Sequence, residues 1–420
     1  MSFLRRFAVI VPCLLFLVFE LGCGDQYRPI ANPIVSPVGQ PQNTYSAYVL
    51  SYNPIGFGST TRIDVSGDTN LQVLSAGYGS VAQSFQAVVH GAIFVANRDG
   101  DSISEFSTLG TSTVTNIALP PGSRPVALAA TTSTAMYVAN SGTNSFCPRT
   151  GSVSVISTAS LVAENTVCVG VKPVAIVQQA SGGYVYVANA GDNSVSVFNP
   201  VSISVANTIT QAEGLHQNPV AMVESPDGAY VFVVSQGNGS NNGWIDIINT
   251  STNAIGGSIP VGIQPSSITY DSFLNRIYVA NSGDNTVTVL NAADVSLGVT
   301  PAIPTLATVS VGSRPVSVAA LPNGLSFYVA NAGSNNVSVV SSSSFGVVAT
   351  IPVGQTPVFI ATEPSSTKVY TANSGSGNIS IIQVSNNTVA LNMSAPQQDP
   401  SCNPATATCA PQRPITIMTE

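Results

Sequence analysis

The sequence predicts an all-β chain built from eight repeated units of four short antiparallel strands, and three observations carry that prediction. A short phrase of aromatic, β-branched and small residues ending in Asn or Ser recurs eight times at spacings of 42 to 50 residues. Strict apolar/polar alternation follows most copies, and no stretch of comparable length has helical periodicity. Charge is scarce: 12 Lys+Arg and 19 Asp+Glu make 7% of the 420 residues, against 44% hydrophobic, with a net charge of -7. That composition argues against both a charge-rich helical protein and a disordered one.

Ahead of the repeats, Arg5 and Arg6 precede an apolar run from Phe7 to Phe19. The run is too short for an ordinary membrane span and has the layout of an export signal. It ends at Leu21-Gly22-Cys23, which resembles the lipobox of bacterial lipoproteins, although Glu20 stands where an aliphatic residue is usual. The resemblance implies cleavage after residue 22, a lipid on Cys23, anchorage to a membrane, and a linker over 23–44 leading to the repeats. The expected location is the bacterial cell envelope, at the outer membrane or cell surface.

The eight phrases begin at Tyr48, Phe94, Tyr137, Tyr186, Phe232, Tyr278, Tyr328 and Tyr370, and the repeats occupy 45–393. The unit from Arg314 to Gly354 parses most clearly. Strand A covers Pro315 to Ala320, a Pro-Asn-Gly turn follows, and strand B runs from Phe327 to Asn331. After the turn Ala332-Gly333-Ser334-Asn335 come strand C, Val337 to Val340, and strand D, Val347 to Val353. Val153-Ser154-Val155, Val195-Ser196-Val197 and Val287-Thr288-Val289 show the period-2 pattern of a half-buried strand at the C position.

Tyr-Val-Ala-Asn followed by a Gly-Asp-Asn turn and Val-Ser-Val is similar to the YVTN-type β-propeller repeat family, whose surface and lipoprotein members belong to a lactonase-like superfamily. The likeness spans nearly all of 45–393 and rests on recurrence in register with a Gly-x-x-Pro phrase. It implies a closed propeller with strand A innermost and strand D outermost, serving as a rigid envelope scaffold. Eight blades are expected, with seven the alternative. The first unit lacks an adjacent strand A, and Arg413-Pro414-Ile415-Thr416-Ile417 matches Arg314-Pro315-Val316-Ser317-Val318. The strand at 413–420 is therefore expected to complete the first blade after a Pro-rich tail at 394–412, removing free sheet edges.

Six cysteines are present. With Cys13 in the signal and Cys23 at the lipid site, an oxidising compartment leaves Cys147 with Cys168 and Cys402 with Cys409 as the expected pairs. Cys147 lies in a B–C loop and Cys168 near the end of strand D, which antiparallel order returns to the same face.

That face also receives the D–A loops. The residue before the Pro of each Gly-x-x-Pro phrase, or its equivalent, is Arg124, Lys172, Asn218, Gln264, Arg314, Thr356 or Arg413. A broken ring of cations at one channel mouth, with Arg124, Lys172, Gln264, Arg314 and Arg413 as candidate contacts, suits an anionic ligand or a carboxylate of an envelope partner. The competing reading pairs these side chains with B–C acids such as Asp192 and Asp284. The Asn closing strand B, as in Asn97, Asn140, Asn189, Asn281, Asn331 and Asn373, reads as structural, bonding its own turn backbone and tolerating left-handed geometry.

Catalysis has little support. The two histidines, His90 and His216, lie in different units without metal-ligand spacing or an evident nucleophile. No cofactor is expected, and the missing basic stripe argues against nucleic acid. The leading expectation is a non-enzymatic, lipid-anchored binding or structural scaffold. The alternative is a lactonase or hydrolase with a channel site, against which Glu224, Asp271 and Glu363 fall at strand ends toward the opposite face.

Overall fold

The computed structural model describes residues 46–53, 57–64, 69–86, 92–107, 114–129, 135–294, 305–394 and 413–419. The signal, Cys23, His90, Cys402 and Cys409 lie outside these residues. Eight four-stranded antiparallel sheets form the blades of a closed ring. In blade 7 the strands are Pro315–Ala320, Ser326–Asn331, Asn336–Ser341 and Val347–Pro352, within a residue of the sequence expectation. Among the described residues the helical elements are two three-residue 310 turns.

Strand A of blades 2 to 8 is Ser80–Gln86, Pro125–Ala129, Pro173–Gln178, Pro219–Glu224, Pro265–Asp271, Pro315–Ala320 and Pro357–Thr362. Blade 1 takes its innermost strand from Arg413–Thr419, which pairs antiparallel with Ser46–Tyr52. Consecutive A strands touch around the whole ring, and the C-terminal strand touches those of blades 8 and 2. Most A strands begin with Pro and then shift register before the second residue after it, as between Pro315 and Ser317. Proline fits there because it has no N–H to give to a ladder and the bulge lets the chain turn into the sheet.

Packing between blades follows from the phrase itself. Strand B of blade 4, Val185–Asn189, is buried at every position, whereas strand D, Ser204–Ile209, is mostly exposed. Tyr186, Tyr278, Tyr328 and Tyr370 are among the largest fully buried side chains. The Tyr186 hydroxyl donates to Asn253 Oδ1 of the next blade at 2.5 Å, and Tyr328 repeats the contact with Asn387 at 2.8 Å. The aromatic ring fills the space between neighbouring sheets, and in blades 4 and 7 its hydroxyl ties the sheet to the C–D turn of the one beyond, whereas in blade 6 the Tyr278 hydroxyl turns to Asp271 of its own blade.

Candidate functional site

The B–C and D–A loops share one face, and the residue before each proline is held there in an unusual way. Arg124, Lys172, Asn218, Gln264, Arg314 and Thr356 all take left-handed backbone, with φ of 53, 54, 56, 50, 52 and 51°. For non-glycine residues, and above all for β-branched Thr356, that conformation must be enforced by its surroundings. Two hydrogen bonds enforce it. The carbonyl of Arg124 accepts from Ser141 N at 3.0 Å, and those of Lys172, Gln264 and Arg314 accept from Ala190, Ser282 and Ala332 in the same register. The amide of Arg124 donates to Asp101 Oδ1, that of Arg314 to Asn285 Oδ1 and that of Thr356 to Asn335 Oδ1, each at 2.8 Å and each reaching into the preceding blade. Because the constraint acts on the backbone, the side chain is free of the ladder and projects from the loop face.

Of the acids at this face, the B–C residue Asp99 pairs with Arg124 as the competing reading expects, whereas Asp192 and Asp284 are engaged elsewhere. Asp192 accepts from Val171 N at 2.9 Å and Asp284 from Ile263 N at 3.1 Å, so both carboxylates cap loop backbone. Gln264 Nε2 donates to Gly239 O at 3.0 Å. Arg314 and Arg413 are exposed and lie away from the cleft formed by Arg124 and Lys172.

That cleft, of about 730 Å³, is lined by Arg98, Arg124 and Lys172 together with Ser141, Thr143 and the strand-A residue Val174. Asp99 bridges the two guanidinium groups, 3.0 Å from Arg98 Nε and 3.5 Å from Arg124 Nη2. The hydrogen bond to Asp99 raises the pKa of Arg98 above its usual value. Lys172 is exposed and has no ion pair among the described residues. Asp101, held to Gly122 N and Arg124 N, and Asp192, held to Val171 N, lie beside the cleft as well, so the charged side chains that line it are the three cations while these two acids are engaged by backbone. Arg98, which directly follows the Asn of its phrase, belongs to the cleft without sharing the pre-proline position, so the repeat alignment did not single it out.

The Asn closing strand B is structural, by a different contact from the one expected. Asn189 Nδ2 donates to Ser194 and Ser196 Oγ, both at 3.0 Å, and Asn281 does the same to Thr286 and Thr288. These are side-chain partners on strand C, and the left-handed turn residues are instead Asn193, Asn285 and Asn335. The packing also explains the glycine of Gly-x-x-Pro: a Cβ on Gly170 would stand 2.6 Å from Asn189 Cγ, and one on Gly262 would stand 2.6 Å from Asn281 Cγ. In blade 3 the longer B–C loop carries Cys147, which forms the expected disulfide with Cys168 (Cα–Cα 5.4 Å).

Blade 5 departs from this pattern. Ser235 stands in the Asn position, and Trp244 and Asp246 replace the two polar residues of strand C. Asp246 is fully buried. Its Oδ1 accepts from Ser258 at 2.7 Å and lies 2.6 Å from His216 Nδ1; its Oδ2 accepts from Ser235 at 2.8 Å and from His216 N at 2.9 Å. The imidazole stacks on Trp244 with centroids 4.1 Å apart and planes 12° apart. His216 and Asp246 are 30 positions apart in sequence, which hid the pair; its visible sign was Trp244 and Asp246 in place of the short polar residues of strand C.

Glu224, Asp271 and Glu363 cap turns toward the opposite face. Glu224 accepts from Ala180 N, Asp271 from Phe273 N and Leu274 N, and Glu363 from the Thr367 hydroxyl.

Fold and site together define an eight-bladed β-propeller with a basic cleft on its loop face. Residues 260–403 match the family model described as Lactonase, 7-bladed beta-propeller. The family description specifies seven blades, and the present ring has eight. No curated protein matches the chain in sequence. Similar solved structures include the dihydro-haem d1 dehydrogenase NirN, with TM-score 0.66 and 11% identity over 93% of this chain and 78% of that one. Apo AztD from Citrobacter koseri gives 0.59 and 11% over 89% and 98%. Kuenenia stuttgartiensis hydrazine synthase gives 0.54 and 20% over 70% and 93%. At these identities the likeness carries the fold alone.

Proposed function

We propose that the chain is an exported, lipid-anchored propeller of the bacterial envelope that acts as a binding scaffold and takes a small anionic ligand, or a carboxylate of an envelope partner, in the basic cleft of blades 2 to 4. The observation that carries this reading is the convergence of Arg98, Arg124 and Lys172 on one cavity of about 730 Å³ with Asp99 as the acid bridging both arginines. A cavity of that size accommodates a small molecule, and fixed cations at the mouth of a concave, partly apolar site concentrate anions there. The left-handed backbone at Arg124 and Lys172 sets the direction in which both side chains leave the loop. A lactonase-type hydrolase is the second reading, favoured by the family match over residues 260–403.

Isothermal titration of the chain from residue 24 with citrate and with inorganic phosphate at low salt tests the proposal. Saturable binding is expected, weakened roughly ten-fold by Lys172→Ala and by Arg124→Ala, and weakened by added salt, on the scale of a lost charge-assisted contact. Lys368→Ala, at the start of a strand B away from the cleft, is the control. Absence of binding, or binding unchanged by both cleft substitutions, overturns it. Turnover of a lactone panel with divalent metals added would put the hydrolase in its place.

A further inference from the structure

We infer that blade 5 carries a second, independent site, a cavity for a neutral carbohydrate walled by His216 and Trp244. The starting point is that blade 5 departs from a pattern that six other blades keep, and unlike blade 1, where Ser51 takes the Asn position opposite Ser59, it places large and charged side chains on strand C. In blades 2, 3, 4, 6, 7 and 8 an Asn at the end of strand B reaches two short polar side chains on strand C, as Asn140 reaches Ser152 and Ser154. In blade 5 the same register holds Ser235, Trp244 and Asp246.

Burying a carboxylate between sheets is costly unless it is fully hydrogen-bonded, and six blades fold with a hydroxyl in its place. The exchange is therefore not needed to build a blade. What it does provide is the orientation of His216. Four hydrogen bonds converge on Asp246, two of them from His216 itself, and they lay the imidazole flat on the indole. The loop bearing His216 is fixed from its other side as well. The 310 turn Gln211–Glu213 is closed by a capping box with Thr210 and by left-handed Gly214, and Leu215 is buried beside it. With Nδ1 held by Asp246, Nε2 is the ring nitrogen without a hydrogen-bond partner among the described residues, and His216 is one of the residues that line the cavity.

The cavity measures about 510 Å³, and its other lining side chains are the amides Gln211, Gln217, Asn238, Asn241 and Asn242 and the aliphatic Leu215. Among the described residues no Lys, Arg, Asp or Glu lines it. Carboxamides offer a donor and an acceptor on one group, which suits ligands whose hydroxyls are both at once. Flat aromatic surface covers the C–H faces that such ligands also present. An anion would find no basic side chain here. A metal ion would find one imidazole, with the Asp246 oxygens already engaged. An apolar ligand would strand the amides without partners. A neutral mono- or disaccharide meets the size, the polarity and the aromatic wall together.

Trp244 is the single tryptophan of the chain, so its emission reports on this cavity without labelling. The probes are N,N′-diacetylchitobiose, maltose and cellobiose, added to the chain from residue 24 at constant ionic strength. A saturable change in Trp244 emission with at least one of them is expected, insensitive to salt and to Arg124→Ala, which separates it from the basic cleft. The double variant Gln217→Ala/Asn241→Ala, confined to exposed loop side chains, should keep the thermal unfolding midpoint and the emission of the free protein while weakening the sugar at least ten-fold. No saturable response across the three sugars overturns the inference, as does a response that the double variant leaves unchanged. A response obtained only with citrate, phosphate or Zn²⁺ overturns it too, because it would assign the cavity to charge or metal.

Discussion

Tyr278 and Tyr328 stand third in strand B of their blades with no more than 1% of their surface exposed. Burial pushes both phenols up from 10.0 to about 12, with Asp271 adding to the effect at Tyr278. Burial raises the Tyr186 phenol as well, helped by the nearby charge of Glu224. A folded-state pKa above the unfolded one means stability that is complete below about pH 10 and is lost as pH rises through about 12, because only the unfolded chain can ionise these groups in that window. Each displacement of this size is worth ~3 kcal/mol. Alkaline titration followed at 295 nm should therefore show the buried phenolates forming together with loss of near-ultraviolet circular dichroism, in a cooperative step above about pH 10. Smooth ionisation of all tyrosines near pH 10 with the fold intact would contradict this. The aromatic positions were legible in the sequence because they recur at fixed spacing. The Asp246–His216 contact was not, because it joins strand C to a D–A loop and no repeat prepares the eye for it.

At the level of single elements, blade 3 shows how a departure from the repeat is stabilised. Its B–C loop is longer than its counterparts, and Asn144 orders it by accepting from Phe146 N and Cys147 N and donating to Ser123 and Ser152. Cys147 then ties the loop to the end of strand D through Cys168, 21 positions away. That pairing could be read from antiparallel order alone, since strand D returns to the face where the B–C loop begins. The fate of the B–C acids could not. Asp192 and Asp284 look like partners for nearby cations, yet an N–H in the left-handed D–A loop is a closer and better-directed donor. Closing a loop of this length contributes ~3 kcal/mol in the chain-entropy account. The double variant Cys147→Ser/Cys168→Ser should accordingly have a lower urea midpoint, and reductant should lower the midpoint of the parent chain more than that of the variant. Equal midpoints for parent and variant would show that the hydrogen bonds of Asn144 hold the loop by themselves.

For the whole molecule, the decisive contact is the one that joins its two ends. Val49 pairs with Ile417 and Leu50 with Thr416, so blade 1 exists only when residues from opposite ends of the chain meet. Ile417 is fully buried in a cluster that includes Ala47, Val49, Tyr370 and Ile379, and blades 1 and 8 therefore share it. The chain must bring these ends together against a loop-closure entropy that grows slowly with length, and it regains that cost only when the last strand docks. Without that strand, Ser46–Tyr52 would present an unpaired edge, and the A strands of blades 8 and 2 would lose the neighbour between them. A chain ending at residue 412 is thus expected to unfold at lower urea than the full chain and to associate through the open edge, with light scattering reporting dimers or larger species. A peptide covering 413–419, added in excess, should restore the monomer and raise the midpoint by occupying the vacant position in blade 1. If the shortened chain stays monomeric with an unchanged midpoint, the ring is held by blade-to-blade packing and not by its closing strand. The rescue by peptide separates that outcome from simple misfolding, because only a correctly formed blade 1 offers the edge that the peptide fits.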